Sequence, residues 1–370
     1  MFNINFKDRY KVVHLNNEIG NQLVGGAGTY MNELYKYRKE GDMGFIYVNC
    51  LSPFADFSVS DFLDQEDILI MHENEAETRL QEIQCDLLVV HFYEFSYLVS
   101  EDLKKDGKKI AYVIHSVPTP EPPPEGDPFG GNDHIRDKFE HLCEVADVLI
   151  CVSNAEKEKL IWMYPDYKDK IEVVHNGLTF DTAPILNENY KNSRRIFGFI
   201  GRTDYRKGII ETIEELENID AEIRIACPKN DEEYIERILT YIRDNNLEDK
   251  VKFYGWCSGK RKEAFLKSLD CLIIPSLYEP FGYVALEGMQ YGLPIISSNN
   301  GGLDEIFEGY KYKYNPYKVG RLAQQVLEFK ADTNEIVEQQ QAILNKNLRR
   351  FTAKEMCDRY NAIWDKVINN

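Results

Sequence analysis

The chain has 370 residues, a formal net charge of −18, 43% hydrophobic and 29% charged side chains. That length predicts two domains, each large enough for its own core, in a soluble globular protein. Residues 1–185 hold 17 basic and 33 acidic side chains against 27 and 29 in the remainder. This excludes nucleic acid as a partner of the first half and disfavours its docking on anionic lipid.

No apolar run approaches the length of a membrane span, and the start MFNINFKDRYKVVHL lacks the basic-then-apolar layout of a signal peptide. A cytoplasmic protein is expected, with at most peripheral membrane contact. None of the eight cysteines forms a C-x-x-C pair, and several lie inside apolar strand patterns, as reduced core cysteines do. A zinc site is not expected.

In chain order, the first half alternates β-branched apolar runs (KVVHL, FIYVNC, DILIM, CDLLVVH, KIAYVIH, DVLICVS, IEVVHNG) with helical patterns such as Thr29 to Lys39 and Ile135 to Val145. Continuous apolar strands separated by helices predict a parallel sheet covered on both faces. After the first run, Gly25, Gly26 and Gly28 precede the helix predicted near Thr29, a layout suited to close approach of backbone to a phosphate. The loop is not G-x-G-x-x-G, and no G-x-x-x-x-G-K-[ST] occurs, which disfavours a nicotinamide dehydrogenase and a P-loop ATPase. His14, His91, His115 and His175 stand at the ends of apolar runs. Each is either a hydrogen-bonded histidine near a domain boundary or, less well supported because the strands are separate, a metal ligand. The proline-rich acidic stretch Val117 to Arg136 is a candidate lid or acceptor-site wall, or else a surface loop stiffened by proline. The polar stretch Asp181 to Arg195 is predicted to be a linker.

A second series follows: RIFGFIGR, EIRIAC, KVKFYGW, DCLIIPS and LPIISS, again with helices between. Arg202 follows the first of these strands, and Lys207 comes just before Gly208 and a helix over Ile209 to Leu216. The two cations are placed to bracket a diphosphate, or are simply solvated. Ligands of open parallel sheets bind outside the carboxyl ends of the strands, where both lie. The stretch from Cys271 to Phe307 contains a buried strand, Glu279 in a loop, a short helix carrying Glu287, a second strand from Pro294 and a glycine turn. Phe281, Gly282 and Tyr283 open that helix, and amides at a helix start favour an anion. The segment is then a sugar-nucleotide holder, with phosphate on the amides, sugar hydroxyls on Glu279 and ribose on Glu287. The bland alternative is an ordinary βαβ connection with two solvated glutamates. A last helix is predicted over Thr352 to Ile368, free to pack on either domain.

With GGAGTY, GRTDYRKG, EPFGYVALE and NNGGLDEI in that order, the chain resembles a retaining glycosyltransferase of family 4 with the GT-B fold. The resemblance runs from the first strand to the last helix. It implies two Rossmann-like parallel-sheet domains facing a cleft, residues 1–181 plus 352–370 on the acceptor side and 182–351 binding a nucleotide-sugar, with the C-terminal helix crossing back to the first domain. It implies no metal and no cofactor, since the nucleotide-sugar, UDP before GDP, is a substrate. Arg202, Lys207 and the helix amides would meet the leaving diphosphate, with Val284 beside them. Gly26 would lie against the donor phosphate, Glu279 on the sugar hydroxyls and Glu287 on the ribose. His115 matches a histidine near the sugar's 6-position, and Asn176–Gly177 the turn entering the inter-domain hinge. The acceptor would be a glycan, a protein or a lipid-linked molecule. Two departures stand out: Ser116 follows His115 where an aspartate is common, and CPKN replaces a glycine-rich turn after EIRIA. Other classes stay open, namely a non-catalytic sugar-nucleotide-binding partner subunit, or an epimerase or phosphorylase on the same fold.

Overall fold

The structure is a computed structural model that describes residues 6–7, 9–18, 26–49, 67–118, 133–180, 187–228 and 231–370. In chain order the elements are β1 (Arg9–Asn16), α1 (Gly26–Lys36), β2 (Met43–Asn49), β3 (Ile68–His72), α2 (Glu73–Glu82), β4 (Gln84–Val90), β5 (Lys109–Ile114), α3 (Asp133–Val145), β6 (Val148–Cys151), α4 (Asn154–Met163) and β7 (Ile171–Val173). The series continues with β8 (Ile196–Ile200), α5 (Ile209–Leu216), β9 (Glu222–Ala226), α6 (Glu232–Asp244), β10 (Val251–Phe253), α7 (Gly259–Lys267), β11 (Cys271–Ile274), α8 (Tyr283–Gln290) and β12 (Ile295–Ser298). It ends with α9 (Gly302–Ile306), β13 (Lys313–Tyr314), α10 (Arg321–Ala331), α11 (Asn334–Leu348) and α12 (Ala353–Asn369). The chain divides into two compact units, Met1–Gly177 with Ala353–Asn370, and Leu178–Thr352.

The first unit holds a parallel sheet in the order β3-β2-β1-β4-β5-β6-β7. Its strands are the seven apolar runs of the first half. Val13, Leu15, Leu88, Val90, Ile110 and Ile114 are buried in one core with Phe139 and Leu142 of α3. Strand order reverses between β1 and β4, so a crevice opens outside their carboxyl ends. The last helix packs on this unit, as the resemblance implied. Met356, Cys357, Tyr360 and Trp364 form one buried stripe at helical spacing. Tyr360 meets Tyr30 of α1 at 5.7 Å, and Lys11 pairs with Asp365 at 2.5 Å.

The second unit holds a parallel sheet in the order β10-β9-β8-β11-β12-β13. Counted from its own first strand, this is the 3-2-1-4-5-6 winding, with the switch point between β8 and β11. α5 buries Ile209, Thr212, Ile213 and Leu216 at three- and four-residue spacing. α6 starts where the Asp231 carboxylate accepts from the Tyr234 amide at 2.9 Å. The two-residue strand β13 is too short to leave a periodic signal in the sequence.

One expectation is corrected. The stretch predicted as a linker ends in packed structure: Asn187, Tyr190 and Arg194 are buried. Arg194 donates to the carbonyls of Phe329 and Asp332 and, at 2.5 Å, to Asn334 Oδ1, tying the segment to α10 and α11. Polar composition marked a linker, and the hydrogen-bonding capacity of the guanidinium decided otherwise. Residues 181–186 of that stretch, residues 119–132 of the proline-rich loop, and Gly25 lie outside the described residues. The seven described cysteines are free and buried. No helix among the described residues is long and apolar enough to cross a membrane.

Candidate active site

β8 ends at the switch point and hands the chain to a tight turn. Asp204 caps that turn, its carboxylate accepting from the Arg206 amide at 3.0 Å. The Arg206 guanidinium folds back on the same carboxylate through two bonds of 3.2 Å. Arg202, exposed, reaches to within 3.7 Å of it. Burial raises the Asp204 carboxyl, but Arg206, Lys207 and Arg202 outweigh it and hold the group below the usual carboxylate range.

The turn closes at Gly208, whose φ is +66°; a Cβ there would come within 2.5 Å of the Pro275 carbonyl oxygen. Glycine thus lets the loop after β8 lie directly on the end of β11. The Leu277 amide donates to the Arg206 carbonyl at 2.7 Å, joining the two loops. This junction brings the Lys207 ammonium to 2.5 Å from Glu279 Oε2, with the two side chains 18% and 14% exposed. Ser276 Oγ donates to the same oxygen at 3.4 Å.

The glycine pair of NNGGLDEI seats the Glu279 loop from behind. Gly302 N–H donates to the Glu279 carbonyl at 2.9 Å. At Gly301 a Cβ would fall 2.2 Å from that carbonyl oxygen. Its backbone, at φ 67° and ψ −143°, is a conformation essentially reserved for glycine.

α8 begins at Tyr283 with Gly282 as its cap. The predicted start was one to two residues early, because Phe281 is not a helix residue. Its ring is buried against Tyr283 and Phe351, each at 5.6 Å. The Ala285 amide already has a partner, the Gly282 carbonyl at 2.9 Å. Val284 and Glu287 share the half-buried face of the helix. Glu287 is held by Lys262 of α7 at 2.6 Å. The second unit therefore gathers Lys207, Glu279, Gly282, Tyr283, Val284 and Arg202 around one switch point, with Glu287 one turn deeper.

Gly26 and His115 belong to the first unit. Gly26 opens α1 three residues before the predicted start and is exposed. The Gly28 amide of that helix start takes the Glu18 carboxylate at 2.8 Å, where the sequence suggested room for a phosphate. His115 follows β5, half-buried. Its Nε2 lies 3.2 Å from His91 Nδ1, and His91 Nε2 lies 3.0 Å from His14 Nδ1. Three of the four strand-end histidines thus converge, in a row rather than around a point. Among the described residues no group of three or more His, Cys, Asp or Glu is placed to hold a metal.

Sequence reasoning missed Asp204, Arg206, Lys262 and Glu18. Asp204 carried a usable signal, an aspartate just before a basic turn and a glycine. Lys262 carried none, since its role depends on how α7 meets α8.

The model for "Glycosyl transferases group 1" matches residues 185–350, and that for "Glycosyltransferase Family 4" matches residues 66–181. The chain belongs to the family 4-type glycosyltransferases. This family 4-type chain is 35% identical over 176 residues to an uncharacterized glycosyltransferase of Methanocaldococcus jannaschii, covering 43% of the chain and 44% of that protein. A second protein of that organism is covered over 59% of its length, so the chain spans about half the length of these curated relatives. To the alpha-maltose-1-phosphate synthase of Mycolicibacterium smegmatis it is 22% identical, over 80% of the chain and 81% of that enzyme. The solved structure of Anabaena HepE in complex with UDP and glucose superposes with a TM-score of 0.77 at 17% identity, covering 96% of the chain and 99% of HepE. The two parallel-sheet Rossmann-like units are those of the GT-B fold.

Proposed function

We propose that this chain transfers a sugar from a nucleotide-sugar, a UDP-sugar before others, to a hydroxyl acceptor, with retention of configuration and without a metal. The observation that carries the reading is the Lys207–Glu279 pair at the β8/β11 switch point. A cation and a carboxylate in contact there are matched to the two halves of one ligand. The diphosphate takes Lys207, with Arg202 beside it, and the sugar hydroxyls take Glu279. That the HepE structure holds UDP and glucose supports the choice of donor. The free cysteines support a reducing compartment, the cytoplasm.

In the proposed step the anomeric carbon–oxygen bond to the diphosphate breaks while the acceptor oxygen bonds the same carbon from the same face. The acceptor proton passes to the departing phosphate oxygen, so no protein base is required. Negative charge grows on the diphosphate, and fixed donors meeting it there favour the transition state over bound substrate. Lys207, Arg202 and the α8 start supply those donors. Glu279 and Glu287 orient the sugar and the ribose, and His115 is assigned a sugar hydroxyl.

The test is turnover by the purified full chain on a panel of nucleotide-sugars and acceptors, followed by the stereochemistry of the product. A retained anomeric configuration, produced in the presence of chelator, is the expected result. Binding without turnover would instead mark a sugar-nucleotide-binding subunit, and product without added acceptor an epimerase or phosphorylase.

A further inference from the structure

The row of histidines behind His115 is not explained by transfer chemistry alone. His14, in β1, is fully buried; His91, just past β4, is 2% exposed; His115, just past β5, is half-buried. Their rings lie nearly parallel, at 27° and 28°, with centroids 5.3 and 5.5 Å apart. Phe45 stacks on His14 at 5.0 Å, Phe92 on His115 at 5.8 Å, and Tyr30 stands edge-on to His115 at 5.0 Å. Burial holds all three rings neutral: His14 is lowered to about 3, His115 to about 4, and His91 well below its ordinary value. Burial is the cause for His14 and His115, and His91 is lowered by burial first and then by its two histidine neighbours.

Three neutral imidazoles carry three ring protons, and the two links between them use two. Only two orderings exist. In one, each ring donates from Nδ1 toward the surface, leaving His14 Nε2 bare and a proton on His115 Nδ1. In the other, each donates inward from Nε2, leaving a proton on His14 Nε2 and His115 Nδ1 bare. His14 Nε2 is buried and has no hydrogen-bond partner among the described residues. The indole N–H of Trp364, whose ring stands edge-on to His14 at 6.3 Å, is likewise buried without one. The inward ordering would place two stranded donors in the same dry corner. The outward ordering leaves there a lone pair and one donor, which costs less. It also leaves the half-buried outer end of the row as a donor, and His115 Nδ1 has no partner among the described residues.

We propose that His14 and His91 are positioning residues, which lock His115 as a neutral imidazole with its proton on Nδ1, a hydrogen-bond donor for a sugar hydroxyl oxygen. This rests on the functional reading above only for the identity of the acceptor oxygen. The row is a lock and not a proton relay, because its inner end is closed: His14 reaches neither solvent nor, among the described residues, a carboxylate. His115 accordingly does not act as a base in the step.

The experiment is a long-range 1H–15N correlation of the histidine rings in the full chain at pH 7 without ligand. The expected spectrum shows His115 protonated at Nδ1 and bare at Nε2. A proton on Nε2, an imidazolium, or an averaged pair would overturn the lock. The variant His14→Phe keeps a ring on Phe45 and removes the first donor. It is expected to average the His115 tautomers and raise the KM for nucleotide-sugar about fivefold, one hydrogen bond's worth. His14→Asn, which restores an N–H toward His91, should return both readouts to wild type. An unchanged His115 tautomer in folded His14→Phe would also overturn it. If that variant does not fold, the wild-type spectrum decides alone. If the wild type transfers no sugar, the spectrum still judges the lock, and only the functional reading falls.

Discussion

Lys207 and Glu279 are 72 positions apart in the chain, and their charged atoms meet at 2.5 Å. Each side chain is mostly shielded from water, so each neutralises a charge that would otherwise be costly to leave unpaired. A ligand that splits them must supply an anion to one and hydroxyl donors to the other. In the proposed reading the two charges neutralise each other in the free protein and part to meet substrate.

Truncating either member leaves the other unpaired. Lys207→Ala and Glu279→Ala should each lower stability by about 1–2 kcal/mol, and the double variant by less than the sum. Urea unfolding of the three variants checks this. Each single variant should also lose at least about 100-fold in kcat/KM, while circular dichroism stays native.

Gly301 is required by contact as well as by conformation. Gly309 has a similar φ, 72° against 67°, but open space where its Cβ would be. Gly309→Ala should cost about 1–2 kcal/mol for the left-handed backbone alone. Gly301→Ala should cost about 2 kcal/mol more, because the methyl meets the Glu279 carbonyl, and should weaken donor binding as well. Equal melting temperatures for the two variants would contradict the seating of the Glu279 loop.

Lys262 fixes the carboxylate that is proposed to hold the ribose. Lys262→Met should raise the KM for nucleotide-sugar about threefold with kcat nearly unchanged, and Glu287→Ala about tenfold, in line with losing hydrogen bonds to a charged group. Steady-state kinetics on the two variants separates them from Lys207→Ala, which should fall mainly in kcat.

The histidine row makes stability depend on pH with a definite sign. The unfolded rings titrate at the ordinary value of 6.5, whereas burial lowers folded His115 to about 4, folded His14 to about 3, and folded His91 well below its ordinary value. Between those values the unfolded state binds more protons, so stability is full above pH 6.5 and falls as pH drops toward 4. Each ring that stays neutral contributes a slope of about 1.4 kcal/mol per pH unit. Denaturant unfolding from pH 7.5 to 4.5 checks this, and His14→Phe should flatten the profile by about one such increment.

Much of the fold was readable from apolar periodicity. All seven strands of the first unit and five of the six in the second stand where β-branched runs were seen, because strands buried on both faces leave continuous runs. α5 was read at its observed limits from Gly208 and the spacing of Ile209, Ile213 and Leu216. The start of α8 was misplaced because Phe281 is as compatible with a helix as with the core it fills. Lys207 and Glu279 were legible as candidates, since both follow strand ends. Their pairing was not, nor was that of Lys262 with Glu287, because sequence spacing does not encode which loops touch. The three histidines were each visible at a strand end, but their alignment needed the strand order β1-β4-β5.

The most direct measurement is calorimetric binding of UDP and of the matching UDP-sugar to the wild type, Lys207→Ala and Glu279→Ala. If Lys207 holds the diphosphate and Glu279 the sugar, Lys207→Ala weakens both ligands, and Glu279→Ala weakens the UDP-sugar while leaving UDP as it was. Wild-type affinities for both ligands in both folded variants would contradict the account.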